Sequence, residues 1–269
     1  MHPLDGPRLK VRRAMRQIEH LRRMEDAFGE VADYRLIKAN SYPERGKDTY
    51  YIILNILPSQ DWGVCIGEVA HNLRSALDGL VWQLALKSTS TPPRDTQFPI
   101  HLIGNSEKRR SPPEKGFVPQ FSKGGLNMIK SLHPVHQAAI ERLQPYNSTG
   151  TRPADHPLHH LNEINLADKH RLILVVGARP ASVSWGGFVP IGHDHMPEPI
   201  WHDARIHVLE DGAPFVTVPS EVYVDTEIPP YVVFSEGCAA VRGDRVVFIL
   251  RKIADCVSNI IEDFATAFD

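Results

Sequence analysis

Three imidazoles and two carboxylates at helical spacing are the side chains best suited to chemistry in this chain. Glu68 and His71 stand three apart in GVCIGEVAHNLRSALDGLVWQLAL, residues 63–86. His160, Glu163 and His170, with His156, occupy about one quarter of a helical wheel drawn over HPLHHLNEINLADKHR, residues 156–171. Neutral imidazole and carboxylate oxygen are the usual ligands of divalent metals, and Glu-x-x-His is the spacing of helix-bundle di-iron sites. Glu68, His71, His160, Glu163 and His170 are therefore the candidate ligands of a divalent metal. His71 and His170 are also the candidate proton carriers of a catalytic set completed by Arg74, Asp78 and Asp168. In that set Arg74 and Asp78 would orient substrate, and Asp168, poorly placed at a helix C-terminus, could pair with Arg74.

Those residues need two helices to hold them. Within 63–86 the apolar side is Val69, Leu73, Leu77, Leu80 and Leu84. The opposite side carries Glu68, His71, Asn72, Ser75, Asp78, Gly79 and Trp82. Short polar groups, a glycine and a tryptophan are unlike a solvated face, so this side should pack on another element, with the 156–171 stripe as its expected partner. A helix over 7–28 precedes these two, and a closing helix begins near Asp244, read as its N-cap. The first helix places Arg8, Lys10, Arg12, Arg13 and Arg16 near its start, where the helix dipole disfavours cations. Strand patterns flank Pro43 and Gly46, and more follow over 180–236. Residues 89–125, rich in Pro, Gly and Ser, read as a long surface loop. The expected architecture over 1–269 is a single α+β domain, long helices packed as a bundle with an antiparallel β region on one side.

Composition narrows the classes. The chain has 269 residues, 30 basic against 32 acidic, for a net charge of −2, so no strong global field draws it to nucleic acid or membrane. Its longest apolar run, at 172–178, falls far short of the ~20 residues of a membrane span. No apolar segment follows MHPLDGPRLKVRR, and three cysteines without a CxxC pair point to a reducing, cytoplasmic setting. A second histidine group, His193, His195, His202 and His207 with Glu198, could form a looser metal-binding loop. GxGxxG, the P-loop, GxSxG and HExxH are all missing.

The stretch His71-Asn72-Leu73-Arg74-Ser75-Ala76-Leu77-Asp78-x-Leu80, with Asp168-Lys169-His170-Arg171 far downstream, resembles a family of bacterial proteins, many actinobacterial, that carries no known activity. Phe98-Pro99-Ile100 and Leu143-Gln144-Pro145-Tyr146 share in that resemblance, which spans most of the chain. The relatives' Arg-x4-His is similar to the motif of HEPN-type ribonucleases and toxins, whose Arg and His act on RNA. Here Gly79, Leu80 and Val81 stand where that histidine would be. Three readings follow. The first is a small-molecule enzyme with a polar, metal-capable site between 63–86 and 156–171. The second is a HEPN-like RNA-binding or defence-associated protein lacking the catalytic His. The third is a structural or interaction protein whose stripes form a satisfied network. The strongly apolar face of the closing helix must be buried by other helices or by a second copy in a homo-oligomer.

Overall fold

The computed structural model describes residues 2–31, 34–39, 46–54, 58–102, 123–171, 176–180, 184–187, 200–201, 214–220, 222–225, 230–235 and 238–268. Its long helices are α1 (Asp5–Val31), α2 (Asp61–Leu86), α5 (Pro157–Arg171) and α6 (Val246–Asp263), with shorter α3 (Lys123–Ile129) and α4 (Pro134–Arg142) between them. Each long helix expected from apolar periodicity is present. α1 buries Val11, Ala14, Ile18, Leu21 and Phe28. α6 buries Leu250, Ile253, Val257, Ile260 and Ile261. With Ile66, Leu73, Leu77, Leu80 and Leu84 of α2 and Leu158, Leu161 and Ile164 of α5, these side chains form one apolar cluster. α2 packs against α1, α5 and α6, so it is the central helix of the bundle.

The strands are β1 (Tyr34–Ala39), β2 (Lys47–Leu54), β3 (Val176–Pro180), β4 (Ser184–Gly187), β5 (Ile200–Trp201), β6 (Pro214–Pro219), β7 (Val222–Asp225) and β8 (Pro230–Phe234). They pair antiparallel throughout. One four-stranded sheet runs β1-β2-β6-β5, and β3 pairs β8 and β4 pairs β7 as separate ribbons. Thr49 and Thr217 face each other across β2 and β6, with hydroxyls 2.7 Å apart. The fold is α+β, as the order of patterns implied.

Three helices follow a His-Pro dipeptide, and each imidazole accepts a backbone N–H at or just before the helix start. His2 Nδ1 accepts the Leu4 N–H at 3.1 Å, while Asp5 Oδ2 accepts the His2 N–H at 2.9 Å, a reciprocal pair at the mouth of α1. His133 Nδ1 accepts from Val135 N–H at 3.4 Å for α4, and His156 Nδ1 from Leu158 N–H at 3.1 Å for α5. An imidazole acceptor thus does the work usually done by Ser or Asp. α6 departs from expectation. Asp244 is not its N-cap; Arg245 takes that place with no side-chain cap bond. Arg245 is first bridged to Val233 of β8, which delays the helix.

A buried carboxylate joins the bundle to the strands. Glu25 of α1, 3% exposed, accepts the Val232 N–H of β8 at 3.1 Å and meets Arg245 Nη2 at 2.6 Å. The Arg245 guanidinium lies 4.4 Å from the centre of the Tyr231 ring.

Candidate functional site

The short polar face of α2 is packed, but against α1. Glu68, Asn72, Ser75 and Gly79 succeed one another along the α1 side. Gln17, buried in α1, donates its amide to Glu68 Oε2 and accepts from Asn72 Nδ2 at 2.9 Å. Lys10 donates to Ser75 Oγ, and Pro7 lies over Gly79. The expected meeting of this stripe with 156–171 is therefore corrected. α1 is the partner because its one neutral amide at mid-helix, Gln17, satisfies two polar groups of α2 at once.

Arg74 and Asp78 lie on the next flank and hold backbone. Asp78 Oδ1 accepts the Phe98 N–H at 2.9 Å and sits 3.2 Å from Arg74 Nη2, which donates to the Phe98 carbonyl. The neighbouring residues are gripped from the other side by the fully buried Gln144. It donates to the Pro99 carbonyl at 2.9 Å and accepts from His101 N–H at 2.9 Å. Residues 89–102, read from sequence as the start of a surface loop, carry no helix or strand, yet Thr96, Phe98 and Pro99 are buried. The rest of that loop, up to 122, lies outside the described residues.

α5 approaches α2 at Gly67. A Cβ there would overlap the Asp168 carboxylate, so glycine lets that side chain lie against α2. Asp168 does not pair with Arg74 among the described residues, because Arg74 is committed to Asp78 and Phe98. His160 is buried, with Nε2 3.1 Å from the Ala154 carbonyl. Burial holds its pKa below the ordinary histidine value, and the Ala154 carbonyl opposes that. His156 is held low mainly by burial, then by His160 and His159. His71 is exposed and Glu163 half-buried. His170 closes α5, and its side chain lies outside the described residues, as do His193, His195, Glu198, His202 and His207.

No three His, Cys, Asp or Glu side chains among the described residues stand close enough to hold a metal ion. Of the expected ligands, Glu68 is turned to Gln17 and His160 to the Ala154 carbonyl. Sequence reasoning missed Gln17, Glu25 and Gln144, the three buried polar residues that organise these contacts. For Gln17 and Glu25 the signal is a single amide or carboxylate on an apolar helix side, weak until the partner is known; Gln144 lies in the turn after α4 and has no such signal.

The basic start of α1 is different in kind. Arg8 is taken up by Glu262 at 2.6 Å, and Arg22 by Glu19 and Asp26 at 2.9 and 2.7 Å. Arg12, Arg13 and Arg16 are exposed on the outer side of the helix and have no ion pair among the described residues. Comparison with family models, curated proteins and solved structures found no match.

Proposed function

We propose that the protein binds RNA, with the outer face of α1 as the phosphate contact. The observation that carries this reading is the trio Arg12, Arg13 and Arg16, exposed on the outer side of α1 and without a carboxylate partner among the described residues. Such a row of guanidinium groups would meet phosphates along a strand, with affinity gained by releasing counterions. The resemblance to HEPN-type proteins favours RNA among polyanions. Glu68, Arg74 and Asp78 have internal partners. With those three groups engaged inside the fold, no reaction is proposed for a small-molecule or metal site between α2 and α5.

The test is an RNA titration over a range of potassium chloride concentrations. Wild type should bind more weakly as salt rises. The triple variant Arg12→Gln, Arg13→Gln, Arg16→Gln should flatten the log–log salt slope by roughly 2 and melt no lower than wild type. Absence of binding at low salt would overturn the reading.

A further inference from the structure

A groove of about 400 Å³ runs between the start of α1 and the second half of α2, lined by Pro3, Pro7, Lys10, Ser75, Gly79 and Trp82. Its back wall is aromatic: Trp82 is 37% exposed although it sits on the central helix of the bundle. Gly79, one turn earlier on the same side, puts no side chain in front of the indole. Glycine inside a helix is unfavourable relative to alanine, so its presence needs a reason. At Gly67 the reason is steric, since a Cβ would overlap Asp168. At Gly79 it is not, because a Cβ would come no nearer than 3.4 Å to Pro7, an ordinary contact. Packing leaves room for a side chain here, and the chain leaves the space open.

The edge of the same groove is cationic. The Lys10 ammonium reaches Ser75 Oγ and keeps donors to spare. Arg13 follows Lys10 by three residues on α1, so the groove opens onto the unpaired basic face. An exposed indole beside a line of cations is the arrangement that takes an unpaired base and its phosphate.

We infer that this groove is a base-stacking subsite for single-stranded polynucleotide, with a nucleobase on the Trp82 indole and its phosphate on Lys10. The inference rests on the RNA-binding reading of α1 and adds that the strand must be unpaired where it crosses α2. Every base has a π-face, so the subsite tolerates any sequence.

Fluorescence anisotropy of the full chain with labelled oligouridylate, oligothymidylate and heparin tests it, heparin being a polyanion without bases. Trp82→Ala should weaken both oligonucleotides roughly tenfold while leaving their salt slopes and the heparin affinity unchanged. Trp82→Phe should restore most of the loss. Gly79→Leu should fill the groove and weaken both oligonucleotides, yet melt no lower than wild type. If Trp82→Ala binds oligouridylate as wild type does while the triple arginine variant loses it, the subsite is overturned and the reading of α1 stands. If wild type binds heparin but no oligonucleotide, or binds none of the three, the subsite falls together with the RNA reading.

Discussion

Arg74 and Asp78, one turn apart on α2 and 3.2 Å from each other, grip both backbone groups of Phe98: the carboxylate takes its N–H and the guanidinium its carbonyl. A pair whose types suit catalysis is thus a clamp on the chain itself. Phe98, held this way, buries its ring completely in the bundle core.

Asp78→Ala should cost roughly 1–3 kcal/mol, because it strands the Phe98 N–H and leaves Arg74 half-buried without its partner. Urea unfolding measures this as a lower midpoint at unchanged slope. A midpoint equal to wild type would show that the clamp contributes nothing.

Gly67→Ala should shift stability by no more than about 1 kcal/mol, because its Cβ needs only the exposed Asp168 carboxylate to move and alanine gains helix propensity. In the Asp168→Ala background the same change should be stabilising by up to about 1 kcal/mol, and a double-mutant cycle reads the difference. A loss of several kcal/mol for Gly67→Ala alone would show that α5 itself has to move.

The two corrections at α2 show what is legible in a sequence. Periodicity located α1, α2 and α6 because each repeats its apolar residues for several turns, as Leu73, Leu77, Leu80 and Leu84 do, whereas α5 is legible from its His-Pro start and its polar stripe. It also showed that Glu68, Asn72, Ser75 and Gly79 are not a solvated face. Which helix would cover them was hidden, because two helices competed and the decisive residue, Gln17, is one amide among the arginines of α1. His156, placed on the imidazole stripe of 156–171 by its spacing, is followed by a proline that makes it the residue before α5, with Nδ1 turned to the backbone.

Breaking the Glu25–Arg245 pair should be damaging even though it lies outside the apolar core. Glu25→Ala would unpair Arg245 and leave the Val232 N–H buried without an acceptor, at a cost on the order of 3 kcal/mol. Thermal unfolding should show it. Arg245→Ala should be at least as severe, because it leaves the more deeply buried of the two charges alone.

Acid should destabilise the fold well above the carboxylate range. Burial lowers the pKa of His101, His136, His156 and His160 from 6.5, so the folded state prefers them neutral. Their contribution is complete above about pH 6.5 and is lost as pH falls through the depressed folded values, where the unfolded chain binds more protons. Urea midpoints should therefore drop between pH 7.5 and pH 5. His160→Gln should flatten that drop, and a pH-independent midpoint over this range would contradict it.

The grip on residues 96–101 has a topological consequence. Gln97 N–H bonds the Met128 carbonyl of α3 at 3.3 Å, and His101 N–H bonds Gln144 beyond α4 at 2.9 Å. The chain on either side of 103–122 is thereby pinned to the same body before that stretch begins and after it ends. Residues 96–101 therefore need no helix or strand of their own to be held in place: groups of α2, α3 and Gln144, all belonging to the packed bundle, fix them from three directions.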